Sequence, residues 1–270
     1  MDHLIRSPTL IGFMVLAALV ELAWRLRTDR GYDRVEAWGS ARVAVGHFLV
    51  AALNTLLIGV VFAQVSRLMP AHWPTDDWRT WVVGFFVVEF AYYWFHRLSH
   101  TIRWMWATHT VHHSTEQLTL LSSLRLGWTS FLSGAWVVYI PVVLAGFDLQ
   151  LMLTLVALDL QFQFFLHTDA PIRLGPLEWV LNTPAHHRVH HACQERYLDK
   201  NYGGALIIFD RMFGTFAEAR PGDTLRYGLV HPFQSKSTLE LAFGGWRQLF
   251  TDMRHAPTIG AALRIAAGRP

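Results

Sequence analysis

Five long apolar runs constrain this chain more than any other feature. They cover roughly residues 9–24, 43–66, 79–98, 127–147 and 149–167. A crossing of the hydrocarbon layer takes ~20 predominantly apolar residues. Only helices and closed barrels satisfy every backbone polar group there. The expectation is therefore an all-α integral membrane protein with about four to five transmembrane helices. Run 9–24 also suits a secretory signal, but it has neither a convincing positive start nor a small-residue cleavage site.

Composition supports a membrane class. The chain is 52% hydrophobic and only 16% charged, with 12 Trp and a mean hydropathy of +0.25; soluble domains carry about a quarter charged residues. The net charge is +3 and the basic residues are scattered Arg with only Lys200 and Lys236, so no nucleic-acid footprint is present. A single cysteine, Cys193, excludes a disulfide framework and an all-cysteine iron–sulfur cluster within the chain. Arg25, Arg27, Arg30, Arg34 and Arg42 follow the first run, whereas the loop after the second holds Arg67 and Arg79 offset by Asp76 and Asp77, between Pro70 and Pro74 and the third run. The positive-inside rule puts the Arg-rich loop in the cytoplasm, and the third run then returns there. Trp73, Trp78 and Trp81 mark one interface of that run; Tyr92, Tyr93 and Trp94 approach the other. The fourth and fifth runs, separated by A-G-F-D-L-Q, read as a hairpin, and from 170 the chain reads as a cytoplasmic helical cap. The expected division is 1–78 N-terminal helices, 79–235 catalytic unit and 236–270 C-terminal tail. Rich Arg over Lys is compatible with a bacterial inner membrane.

On this topology one chemical group gathers on one face. Residues 96–113 hold five of the fifteen histidines, a second knot, A-H-H-R-V-H-H, occupies 185–191, and His167 lies between them. His96 and His100 are four apart; His109, His112 and His113 repeat the three-and-four offset of His187, His190 and His191. Such offsets stack imidazoles on one face of a helix. Neutral imidazole suits iron, zinc, copper or nickel rather than magnesium or calcium. Eight to ten of them exceed what one ion can use, so two ions are expected, with His186 either a ligand or a neighbour of one. His3, His47, His72, His231 and His255 read as isolated core or interfacial side chains. H-E-x-x-H is absent, which disfavours a zinc hydrolase, and no repeated Glu-x-x-His pair suggests a carboxylate-bridged bundle.

Glu89 and Asp159 sit inside the third and fifth apolar runs. Glu89 shares a helical stripe with Tyr93, His96 and His100, while Asp159 and Gln163 precede His167 by eight and four residues. Ionisable residues within a span are functional candidates by default. Glu89 and Asp159 are therefore candidate catalytic groups, by hydrogen-bonding a ligand histidine or managing protons. Glu116, Gln117 and Arg125 are candidates for a lipid head-group contact. The stretch 197–204 reads as a turn in which Gly203 and Gly204 permit positive φ, with Asp199 or Asn201 available to a ligand imidazole. Phe209, Met212, Phe213 and Phe216 read as packing or interfacial residues.

The boxes H-x-x-x-H at 96–100, H-x-x-H-H at 109–113 and H-x-x-H-H at 187–191 resemble the fatty acid hydroxylase and sterol desaturase superfamily of membrane di-iron oxygenases. D-K-N-Y-G-G at 199–204 and F-D-R-M-F-G-T-F at 209–216 extend the likeness over about 80–235. The segments W-A-T-H-T-V-H-H-S-T-E and N-T-P-A-H-H-R-V-H-H are closest in wording to the alkylglycerol monooxygenase branch, which cleaves ether lipids and uses tetrahydrobiopterin. The resemblance implies two iron ions, held by His96, His100, His109, His112, His113, His167, His187, His190 and His191, with zinc able to replace iron in recombinant material. It implies O2-dependent hydroxylation, or desaturation, of a fatty acyl, alkyl-ether or sterol-like lipid. No dinucleotide fingerprint, cysteine cluster or haem-domain length is visible, so electrons are expected from a separate reductase, ferredoxin, cytochrome or pterin. The competing class is a membrane metal- or haem-binding carrier. It would need histidines on facing helices at membrane depth or polar residues through a span, whereas these bunch at one interface. A family member that binds metal without turnover is the third reading.

Overall fold

The computed structural model describes residues 8–69 and 71–270, so His3 and Pro70 lie outside the described residues. Helix α1 spans Pro8–Arg27 and α2 spans Arg34–Ser66, and both are long and apolar enough to cross a membrane. Asp33 caps α2 by accepting from Val35 N and Glu36 N. At ~1.5 Å per residue α2 is ~50 Å long, well beyond a ~30 Å hydrocarbon core. Its two halves behave accordingly. Glu36, Gly39, Ser40 and Val43 are buried in the cap, whereas Phe48, Leu49, Leu53 and Leu56 are each more than half exposed. Apolar surface of this extent is what lipid covers.

Helix α3 spans Trp78–Thr101, capped by Asp77 accepting from Arg79 N, and Ile102 in an extended conformation separates it from α4, Arg103–His113. That corner folds the second box back over the first. The fourth apolar run is not one helix. Short helical turns cover Ser130–Ser133, Ala135–Tyr139 and Ile140–Leu144. Gly134, at φ 68°, ends the first of them in the left-handed conformation, and Pro141 lacks the N–H a longer helix would need there. The irregular backbone is served by side chains of α2. Asn54 Oδ1 accepts from Phe131 N at 2.8 Å and Asn54 Nδ2 donates to Trp128 O at 3.0 Å, while His47 Nδ1–H donates to Gly127 O at 3.0 Å. His47 is thus the isolated structural histidine expected. The fifth run forms α5, Leu149–Phe164, capped by Asp148.

One apolar core binds these elements, with Val88 and Ala91 of α3 against Val142, Leu151, Met152 and Leu155. The bundle has two distinct ends. At one, Trp73 stacks on Phe147 and its backbone N–H donates to Gly146 O at 2.9 Å. At the other, Glu21 of α1 accepts from Leu120 N at 2.7 Å and Arg25 pairs with Asp169 at 3.1 Å, two residues beyond His167. The cap covers this second end. It contains α6 (Pro184–His190), α7 (Ile208–Phe213), α8 (Thr238–Arg254) and α9 (Ile259–Ala267). Residues 236–270, which carry α8 and α9, dock on α4. A Cβ on Gly245 would lie 2.6 Å from Ala107 O, and Trp246 Nε1 donates to Thr129 Oγ1 at 2.8 Å.

Candidate metal centre

The last turn of α3, all of α4, the turn after α5 and helix α6 converge at the capped end. They bring together nine histidines in two groups. His96, His100, His109, His113 and His190 form one; His112, His167, His187 and His191 form the other, and within each group the ligand-capable atoms lie within 4.8 Å of one another. The groups adjoin through His113 and His191, whose rings stack at 4.3 Å. All nine residues expected from the boxes and His167 are present. His186 belongs to neither group; it packs against Phe216 with ring centroids 5.3 Å apart.

Backbone carbonyls orient the rings. His96 Nδ1–H donates to Tyr202 O at 2.8 Å, His190 to Lys200 O at 2.9 Å, His167 to Gln163 O at 2.8 Å and His112 to Arg125 O at 3.3 Å. Each of these neutral rings therefore carries its proton on Nδ1 and a bare lone pair on Nε2. The Nε2 atoms of His112 and His167 nevertheless face each other at 3.0 Å, and His187 Nε2 lies 3.0 Å from that of His167. In the other group His96 Nε2 is 3.1 Å from His109 Nε2, and His113 Nε2 is 3.1 Å from His190 Nε2. Two bare lone pairs at 3.0 Å repel, and no proton is available to either partner of the 112–167 pair. A shared cation removes the conflict. The donor set, imidazole throughout with no carboxylate in either group, fits iron or zinc and is poor for magnesium or calcium.

Burial keeps the rings neutral. It pushes His112 down to about 4 and His190 down to about 3, from 6.5 for the free side chain. Between pH 6.5 and about 4 the unfolded chain binds the proton and the folded His112 does not, so stability is lost as the pH falls through that window. For His112 alone this is ~3 kcal/mol at the acid end. Chelator-treated protein should show a falling melting temperature as pH drops from neutral towards 4, and bound metal, which keeps protons off the folded rings, should raise the melting temperature without flattening that fall.

Several residues that build the centre carry no metal-ligand signature. Asp210, fully buried, accepts from Tyr202 N at 2.8 Å, Gly203 N at 2.7 Å and Thr215 Oγ1 at 2.6 Å, fixing the turn whose carbonyls take His96 and His190. Asn201, also fully buried, stands at φ 56° and donates to His186 O and Ala217 O. The left-handed positions of this turn are Asp199 and Asn201 rather than Gly203 and Gly204. The two glycines serve close approach instead, since a Cβ would lie 2.2 Å from Leu206 O at the first and 2.3 Å from Asp159 Oδ1 at the second. Neither Asp199 nor Asn201 hydrogen-bonds an imidazole side chain. Glu89 and Asp159 do not touch a ligand ring either; they meet each other between α3, α5 and the 203–206 turn. Arg125, only 1% exposed, is no head-group contact but the partner of Glu36 at 3.0 Å.

A cavity of about 410 Å³ reaches the centre from the cap side. His100, His113, His190 and His191 line it, so it opens on both groups, with Trp106, Leu198 and Val230 as walls.

The family model for fatty acid hydroxylases matches residues 81–215, the span that contains all nine histidines. The chain belongs to the fatty acid hydroxylase family. This is a membrane-associated family, in keeping with the two long apolar helices that precede the matched region. Alkylglycerol monooxygenase of Homo sapiens is 42% identical over 93% of this chain and 55% of its own length. That of Xenopus tropicalis is 43% identical over 82% of this chain and 48% of its own. Ornithine lipid hydroxylase OlsE of Rhizobium tropici, another relative, is 30% identical over 81% of this chain and 71% of its own length. The chain thus spans about half the length of these two alkylglycerol monooxygenases. No solved structure matches it.

Proposed function

We propose that this protein is a membrane-bound, O2-dependent di-iron monooxygenase that hydroxylates a C–H bond of a lipid. The observation that carries this reading is the bare-nitrogen pair of His112 and His167 at 3.0 Å, set within two all-imidazole groups. His96, His100, His109, His113 and His190 would hold one ion, and His112, His167, His187 and His191 the other. Iron supplies, when bound, the O2-dependent C–H chemistry that no side chain can perform. The chain's own part is geometric. The carbonyls of residues 125, 163, 200 and 202 fix ring direction, burial keeps the lone pairs free of protons, and the cap limits water.

The relatives' names point to lipids with polar head groups, and alkylglycerols, an alkyl-ether class, are the first substrates to try. The reacting carbon would be presented in the cavity lined by His100, His113, His190 and His191. Electrons come from a separate donor, a tetrahydrobiopterin or a reductase-linked carrier. About four to five spans fit α1, α2, α3, α5 and the broken segment before α5. The Arg-rich α1–α2 connection lies at the same end as His167, through the Arg25–Asp169 pair, which supports a cytoplasmic metal centre.

The test is metal content per chain with Mössbauer spectra on protein from iron-supplemented cells, beside His112→Ala. The expected result is two irons per chain in a coupled pair, with the variant losing one of them, the coupling and the transfer of labelled O2 into lipid. A single haem, or one zinc indifferent to His112, would overturn the reading.

A further inference from the structure

Glu89 of α3 and Asp159 of α5 are 1% and 3% exposed and lie within hydrogen-bonding reach of each other. Each carboxylate commits one oxygen elsewhere. Glu89 Oε2 accepts from Leu206 N at 2.9 Å, and Asp159 Oδ2 accepts from Gln163 Nε2 at 2.7 Å. Tyr92 OH donates to Gln163 Oε1 at 2.8 Å, which sets the amide so that its NH2 faces Asp159. The two oxygens left over, Glu89 Oε1 and Asp159 Oδ1, are buried and have no hydrogen-bond partner among the described residues. Neither acid forms an ion pair among those residues. Two ionised carboxylates in contact in an apolar layer repel with only neutral donors beside them, the Leu206 and Ala205 N–H groups and the Gln163 amide, whereas one proton between them makes a strong charge-assisted hydrogen bond.

The geometry points to a single proton shared by Glu89 and Asp159, which makes the pair a clamp that positions one ligand of each metal group. On one side, Glu89 holds Leu206 N and so the turn whose Tyr202 O receives His96 Nδ1–H. On the other, Asp159 holds Gln163, whose own carbonyl receives His167 Nδ1–H. Gly204 leaves the gap the pair needs, since a Cβ there would lie 2.3 Å from Asp159 Oδ1. Glu89 and Asp159 are positioning residues, reaching the centre through Tyr202 and Gln163. The positioning half rests on the two-metal reading; the shared proton does not.

Infrared spectra of the full chain in lipid, in H2O and D2O, decide the proton. Wild type should show the C=O stretch of a protonated carboxylic acid, shifted by deuterium. Asp159→Asn and Glu89→Gln should each abolish it, and Glu240→Gln, in the exposed pair with Arg247, should leave it. The amide of either single variant donates where the proton did, so both should retain two metals per chain. Asp159→Leu cannot donate and should bind metal ~10–100-fold more weakly. Absence of the band in wild type, its survival in both amide variants, or loss of an additional cation from them would overturn the shared proton. A folded Asp159→Leu with unchanged metal affinity would overturn the positioning role; if that variant does not fold, loss of metal from both amide variants does so. A wild-type chain that binds no metal would sink the two-metal reading, and the band would still report on the proton.

Discussion

Replacing Asp210 with alanine is expected to cost several kcal/mol of stability and to strip one metal group in preference to the other. Three donors converge on this carboxylate: Tyr202 N, Gly203 N and Thr215 Oγ1, all within 2.8 Å. A buried donor left unpaired costs ~1–3 kcal/mol, so the loss should be on the order of 5 kcal/mol where the turn cannot relax. Asparagine is a poor rescue. Its oxygen can replace Oδ1, but its NH2 then faces Gly203 N–H, donor against donor. The functional effect follows from what the turn holds. Tyr202 O and Lys200 O receive His96 and His190, both in the five-histidine group. The four-histidine group takes its carbonyls from Arg125 and Gln163, on other elements. Loss of a ligand's supporting acceptor weakens metal binding ~10–100-fold. Metal titration of the variant should therefore show one weakened and one near-normal ion, beside a lowered melting temperature. Equal weakening of both would mean that Asp210 acts on the fold as a whole.

The contrast between ligands and their supports explains what could be read from the chain alone. A ligand histidine announces itself because the offsets of three and four are periodic and the residue type is rare. Eight of the nine grouped histidines were legible that way, and the lone His167 by its emergence from the fifth apolar run on the same side. Their supports are backbone carbonyls, which have no residue type to read, held by acids that look like ordinary surface or turn residues. Asp210 sits in F-D-R-M-F-G-T-F with nothing to show that it accepts from Gly203, seven positions back. The fourth apolar run misled for another reason. Hydropathy reports that 127–147 is apolar, yet the break at Gly134 is a conformational choice made affordable by Asn54 of α2, which accepts from Phe131 N across 77 residues. His186 shows the limit of periodicity itself: it lies beside His187 in the chain, but adjacent helical residues face different ways. Arg125 failed as a head-group candidate because its partner stands 89 residues earlier.

That partner gives the second large effect. Arg125 and Glu36 are 1% and 4% exposed in their side chains, and each guanidinium nitrogen has an acceptor. It donates to Glu36 Oε2 and Glu36 O at 3.0 Å, to Ser40 Oγ at 3.2 Å and to Ser114 Oγ at 3.3 Å. Glu36 is shared with Lys236, whose Nζ lies 2.7 Å from Oε1. Removing one member of a buried pair strands the other, at a cost of ~3–5 kcal/mol. Arg125→Met should reach that range, because Glu36 keeps only the half-exposed Lys236 as a cation. Glu36→Gln should cost as much, by leaving Arg125 charged and buried. The double variant Glu36→Gln with Arg125→Met should cost clearly less than the sum of the singles, since it removes both charges; the difference is the coupling, read from denaturant midpoints. The pair also bears on the metal centre. Arg125 O is the acceptor for His112, and Ser114, one residue after His113, is held by the same guanidinium. Either single variant should therefore loosen the His112 group as well as the fold, and the double variant should recover stability without fully recovering metal affinity. If the double variant restores both together, the guanidinium acts only as a buried charge. If it restores neither, Arg125 contributes through the shape it fills between α2 and α4 rather than through its pairing.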